Sequence, residues 1–186
     1  MHELEPYYNW IRLYSAEQDS KSPFYGREHS EFEFSDAIYN YLIHPQWDHF
    51  GSPTLYLKVL FADYEEGYVI IEMIGEWNDA IENDIMELKR EVLEKLMIEG
   101  VYKFILIAEN VFNFHSGDRD YYEELYDELS EQEGWAVLVN LNIAAQHDFL
   151  QKKLQRYIEL MEYDQWRTYK PDHFFQLIDR IFIRRL

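Results

Sequence analysis

Between Leu55 and Leu141, short aliphatic runs alternate with stretches of helix length, and this order of elements limits the fold more than any other feature of the chain. Leu55 to Tyr64 and Tyr68 to Trp77 read as strands rich in Val, Ile, Leu and Tyr. Glu65-Glu66-Gly67 is too short for a crossover, so it joins them as an antiparallel hairpin. Asn78 or Asp79 then opens a helix whose apolar face carries Ile81, Ile85, Leu88, Val92 and Leu96, with Gly100 as its stop. Tyr102 to Ala108 is a nearly continuous apolar run, as expected of a strand covered on both faces. Tyr122, Leu125, Tyr126 and Leu129 mark a second helix ended by Gly134, and Trp135 to Leu141 is another buried strand. A third helix carries Phe149, Leu150, Leu154, Tyr157, Ile158 and Met161, and Pro171 starts a last one with Phe174, Phe175, Ile178, Ile181 and Phe182. The pattern predicts an α/β fold with one mixed sheet, an antiparallel hairpin followed by βαβ units.

A chain of 186 residues is long enough to bury one principal core without staples. Residues 1–54 have no long helical period but are dense in aromatics, among them Tyr7, Trp10, Phe24, Tyr39, Tyr41 and Trp47. Disordered tails are poor in such side chains, so an ordered extension is expected, wrapped on the body or on a second copy in a homodimer. Cysteine is absent, which removes disulfides, thiolate nucleophiles and thiolate metal sites. Met1-His2-Glu3-Leu4-Glu5-Pro6 carries neither the positive region nor the apolar run of a signal peptide, and no segment is apolar for the length of a membrane span. A cytoplasmic location is therefore expected.

The formal charge of −19 opposes binding to nucleic-acid phosphates and to anionic lipid. It is unevenly spread: −6 for residues 1–54, −15 for 55–142 and +2 for 143–186. The acidic helix face of Glu82, Asp84, Glu87, Glu91 and Glu94 reads as solvated, partly offset by Lys89, Arg90 and Lys95.

Polar residues concentrate in the turn from Asn110 to Asp120, where a buried strand delivers the chain to a helix. Open α/β sheets often place ligands and partners at such points. Ser116 or Asp118 is suited to cap the helix that follows. His44-Pro45-Gln46-Trp47-Asp48-His49 offers imidazole and carboxylate groups, as do His115 and Asp118, but each set falls short of the convergent ligands a zinc site needs. Ser116 beside His115 is not a triad, and no P-loop, dinucleotide fingerprint or nucleophile elbow is present.

Several of these stretches resemble the STAS domain of anti-sigma-factor antagonists and the related SpoIIAA-like proteins. Val69-Ile70-Ile71-Glu72-Met73-Ile74-Gly75-Glu76-Trp77-Asn78 is similar to the family strand that ends in Gly-Glu-Leu-Asp. The resemblance continues through Phe104-Ile105-Leu106-Ile107, Phe114-His115-Ser116-Gly117, Tyr122 to Leu129 and Val137 to Leu141, covering about residues 55–160. It implies a SpoIIAA-like domain over 55–186, with a C-terminal helix and the aromatic extension 1–54 added to the simple family pattern. In the antagonists, an Asp-Ser-Ser/Thr-Gly turn holds a hydroxyl that a switch kinase phosphorylates. Here Ser116-Gly117 matches the hydroxyl-Gly pair, but the Asp is missing and Asp118-Arg119-Asp120 follows, so the pattern points to the SpoIIAA-like branch instead.

The expected function is a non-catalytic protein-interaction or regulatory module with no cofactor. Its partner surface would comprise Trp77, Asn78, Asp79, Asn110, Asn113, His115, Ser116, Asp118, Arg119 and Asp120. Trp77 would serve as an aromatic anchor, and the carboxylates would select a protein partner with a basic surface. The competing class is a metal-assisted hydrolase using His44, Asp48 and His49, or His115 and Asp118.

Overall fold

A computed structural model describes residues 4–184; residues 1–3 and 185–186 of the two expected segments lie outside the described residues. A small antiparallel hairpin of β1 (Ala37–Ile38) and β2 (Tyr41–Leu42) precedes the main sheet. The main sheet has five strands in sequence order: β3 (Leu55–Asp63), β4 (Tyr68–Asn78), β5 (Lys103–His115), β6 (Trp135–Val139) and β7 (Glu159–Met161). β3 and β4 are antiparallel, and each later neighbour pair is parallel. This is the mixed sheet that the short hairpin turn and the helix-length crossovers predict.

The crossovers are α1 (Asp84–Leu88), continued by a π turn at Lys89–Leu93 and by α2 (Glu94–Ile98), then α3 (Asp120–Ser130) and α4 (Ile143–Gln151). Right-handed crossovers that always step the same way along a sheet deposit their helices on one face. That face is lined by Val69, Ile71, Met73, Phe104, Leu106 and Leu138, and these pack with Ile85, Leu88, Val92, Leu125 and Phe149 of the helices. The opposite face carries Ile70, Ile105, Ile107, Val137 and Val139 and needs another cover. It is supplied by Trp10 of the N-terminal segment, by Trp166 and by Phe174, Phe175 and Ile178 of α5 (Pro171–Ile183). Trp10 and Trp166 meet edge to face at 5.7 Å, and Phe175 stacks on Tyr68 at 3.8 Å.

The structure corrects the sequence reading at several points. The third helix ends at Gln151, and Lys153 adopts a left-handed conformation. Glu159–Met161, read as helix, instead adds an edge strand to β6, so Ile158 and Met161 belong to different elements from Phe149. Ile81 precedes α1 and is 80% exposed, while Ile85, Leu88, Val92 and Leu96 are buried as their spacing predicts. Asp84 and Lys89 are buried instead of solvated. The wider π turn brings Lys89 inward, where its ammonium meets Glu94, Glu124 and Glu128 and ties α2 to α3.

β5 is the largest departure. It runs on to His115, so Asn110, Asn113 and His115 are strand residues and the true loop is only 116–119. β4 also extends past its expected end, and Trp77 and Asn78 pair with Phe114 and His115. Two irregularities make this possible. Between Glu72 and Ile74, β5 spends Ala108 and Glu109 against Met73, and between Gly75 and Glu76 it inserts Phe112. Such bulges re-aim side chains, and apolar-run reading cannot anticipate them.

Candidate functional site

At the C-terminal end of the sheet, β4 and β5 project beyond β6, which pairs only with Lys103 to Ile107. Beyond Ile107, Asn142 reaches β5 in place of β6: its Nδ2 donates to the carbonyls of Val111 and Phe112 at 2.5 and 3.2 Å, while its Oδ1 caps α4 by accepting from the Ala145 N–H.

Beneath this end lies a buried carboxylate network. Asp79 Oδ1 accepts from Trp77 Nε1 and from the Ile85 N–H, both at 2.8 Å, and Oδ2 accepts from the Tyr122 hydroxyl at 2.5 Å. The Asp79 N–H donates to the His115 carbonyl at 2.9 Å. Gly117 packs so closely that a Cβ there would lie 2.7 Å from the Asp79 carbonyl oxygen. Burial raises the Asp79 carboxyl to about 6, although the hydrogen bonds from Tyr122, Ile85 and Trp77 pull it down. Asp84 is likewise raised to about 6 by burial, against the lowering effects of the Asn78 N–H, which its Oδ2 accepts, and of the Ser52 side chain.

The expected partner residues separate into two groups. Trp77, expected as an exposed anchor, has 0% exposure because its indole packs in the helical core 5.7 Å from Phe114. Asn78 and Asp79 are also buried and hold the rim from below. Asn113, His115, Asp118, Arg119 and Asp120 are exposed, and Asn110 and Ser116 are half-buried. Neither Ser116 nor Asp118 caps α3, whose N-cap position is Arg119 and has no side-chain cap bond. The Ser116 N–H and hydroxyl both donate to Asp148 Oδ2, at 2.9 and 3.0 Å, and so fasten the loop to α4. The hydrogen bond from the Ser116 backbone leads in holding the Asp148 carboxyl below its ordinary value.

The expected His/Asp sets are not assembled. His44 faces Glu5 at 3.5 Å, His49 lies against the Tyr56 ring, and His115 Nε2 is 3.6 Å from Glu76. Asp48 instead meets Glu17 and His29, a group of metal-ligating types whose ligand atoms lie within 4.8 Å of one another. His29 Nε2 is 2.7 Å from Asp48 Oδ1, and its Nδ1 is 3.4 Å from Glu17. Lys58 hydrogen-bonds Glu17 and lies 3.7 Å from Asp48, while Arg27 lies 3.4 Å from Asp48. Burial opposes ionisation of Glu17, but hydrogen bonds from Lys58 and Ser15 lower its carboxyl to about 2. Charge in this knot is thus already balanced from within the chain, and it pins the N-terminal segment to β3. Sequence spacing gave no sign of it, because Glu17, His29, Asp48 and Lys58 lie on separate turns and strands.

A second buried acid was also missed. Glu72 sits between Ile70 and Ile74 on the sheet face covered by the N-terminal segment, and its Oε2 accepts the Tyr7 N–H at 2.7 Å. Burial raises it to about 7, against the lowering effects of the Tyr7 hydrogen bond and of Arg167 3.7 Å away.

No family model and no curated protein matches the chain. Solved structures similar to it include the anti-sigma-factor antagonist SpoIIAA in its unphosphorylated form, 15% identical, with 67% of this chain and 95% of that chain covered and a TM-score of 0.49. The solution structure of the protein TM1081 is 21% identical, with 69% of this chain and 89% of that chain covered and a TM-score of 0.42.

Proposed function

We propose that the chain is a non-catalytic protein-interaction or regulatory module that engages a basic partner at the end of its sheet. The observation that carries this reading is the contrast between the rim and its support. Asn113, His115, Asp118, Arg119 and Asp120 are exposed, on a backbone held by the buried Trp77–Asp79–Tyr122 bonds and by the Ser116–Asp148 clasp. Exposed polar side chains on a rigid scaffold suit recognition, since little freedom is lost on docking. The charge of −15 over residues 55–142 favours a partner presenting Lys or Arg. Among the described residues no helix is long and apolar enough to cross a membrane. The test is partner capture from native cell extract with Asp118→Lys and Ser116→Ala as folded controls. Weakened capture by Asp118→Lys is expected; undiminished capture by both, or turnover abolished by Ser116→Ala, overturns the reading.

The grouping of Glu17, His29 and Asp48 favours a second reading, a metal-assisted hydrolase. A metal there must displace the Lys58 ammonium from between the carboxylates. Elemental analysis of the purified chain together with a zinc titration separates the two readings.

A further inference from the structure

A cavity of about 310 Å³ opens between the β1–β2 hairpin and the ends of β4 and β5, beside the rim described above. Its floor is Ile38 and Gly75, and its walls include Tyr39, Tyr41 and Phe112. Among the described residues of this lining, Glu76 carries the charge. We propose that this cavity receives a lysine or arginine side chain of the protein partner, held between the aromatic faces and the Glu76 carboxylate. The proposal rests on the reading of the chain as a module for a basic partner and names the subsite that does the recognising.

The cavity is built by departures from regular sheet. Gly75 has a φ of +121°, and a Cβ there would lie 2.7 Å from Ile38 Cδ1, so the absent side chain lets the hairpin seat against β4. Phe112 is the residue inserted opposite the Gly75–Glu76 step, and the bulge turns it outward. Tyr39 takes a left-handed conformation at the hairpin turn, φ 52°, and its hydroxyl donates to Glu76 Oε1 at 3.1 Å. Two exposed rings thereby stand beside one carboxylate, Tyr39 at 71% and Tyr41 at 57%, and Phe112 completes the wall.

Singly exposed aromatics are ordinary, but rings gathered at a cavity that also holds an acid suit a cation. The ring faces attract positive charge through their quadrupole, and the carboxylate adds a directed ion pair. Glu82 adds negative potential at Tyr39. An apolar side chain entering the cavity would strip water from Glu76 without replacing it, and an anion would be repelled. Among the described residues, His115 faces Glu76 at 3.6 Å and is itself half exposed.

The experiment titrates the full chain at physiological salt with acetyl-Gly-Arg-Gly-amide and acetyl-Gly-Lys-Gly-amide, following backbone amide shifts by NMR. Acetyl-Gly-norleucine-Gly-amide and tetramethylammonium chloride serve as comparisons. Shifts clustered at residues 38–41, 75–76 and 112 are expected with the cationic peptides, and about five- to tenfold weaker binding is expected in Tyr41→Ala and in Glu76→Gln. Circular dichroism and thermal unfolding establish that each variant is folded. Shifts scattered over the acidic surface, unchanged binding in Tyr41→Ala, or equal binding of the norleucine peptide overturns the proposal. Tetramethylammonium binding as tightly as the peptides also overturns it, because the ligand is then a free cation. Partner capture distinguishes the two levels. Capture lost in Asp118→Lys but kept in Tyr41→Ala defeats the pocket alone, while capture unaffected by either defeats the module reading.

Discussion

The Tyr122 hydroxyl donates to the buried Asp79 carboxylate at 2.5 Å, joining α3 to the end of β4. The same carboxylate receives the Trp77 indole and the Ile85 N–H, so one acid organises a strand end, a helix start and a neighbouring helix. Asp79→Ala leaves these donors buried without an acceptor. A loss of about 3–5 kcal/mol is expected by urea unfolding, and about 1–3 kcal/mol for Tyr122→Phe, which removes only one charged-acceptor bond. Equal stability of Asp79→Ala and the unaltered chain would show that the network contributes nothing.

Stability depends on pH through three buried acids. Glu72 is raised from 4.5 to about 7, and Asp79 and Asp84 from 3.8 to about 6, in each case chiefly by burial. Each holds its proton more tightly in the folded chain than in the unfolded one, so folding takes up protons and stability falls as pH rises through this window. Lowering pH from about 8 to about 5 is expected to raise unfolding free energy, with Glu72 alone contributing on the order of 3 kcal/mol. Glu17, lowered to about 2, acts with the opposite sign: its stabilisation is lost as pH falls from 4.5 toward that value. Glu72→Gln should flatten the upper part of the profile. A profile that instead rises from pH 5 to pH 8 would contradict the assignment.

Asn142 serves two structures with one side chain, the N-cap of α4 and the Val111 and Phe112 carbonyls of β5. Asn142→Ala should cost about 2 kcal/mol, and Asn142→Asp less, because the aspartate keeps the cap acceptor while losing the amide donor. Hydrogen exchange should quicken in 143–147 for the alanine variant. Unchanged exchange there and unchanged stability would count against the double role.

Gly75 should tolerate no side chain. Its φ of +121° is strained for any L residue, and an added Cβ would lie 2.1 Å from the Thr54 carbonyl oxygen. Gly75→Ala is expected to cost about 3 kcal/mol or more and to loosen the β1–β2 hairpin, read as faster exchange at Ile43, whose N–H donates to the Asp36 carbonyl. A melting temperature matching the unaltered chain would sink this prediction.

The main sheet and most of its helices were legible because they rest on local periodicity. Alternating and continuous apolar runs marked β3 to β6, and the spacing of Ile85, Leu88, Val92 and Leu96 marked the buried helix face. The working end of the sheet was less legible. The turn read from Asn110 to Asp120 is mostly strand, because β4 supplies pairing partners up to His115 and bulges absorb the mismatch. Those partners are distant in sequence, and nothing local announces them. Trp77 looked like an anchor because an aromatic beside polar residues is compatible with either face; only packing against Phe114 and the Asp79 bond decides for burial.

By itself, the sequence determined the order of elements from β3 to β6, the antiparallel β3–β4 hairpin and the acidic balance, since these follow from residue type and short-range spacing. Tertiary structure alone decided which carboxylates lose water. Asp79, Asp84 and Glu72 resemble many other acids of this chain until helices and the N-terminal segment close over them. Desolvation depends on what covers a group from elsewhere in the fold, and that is a long-range property of the folded chain.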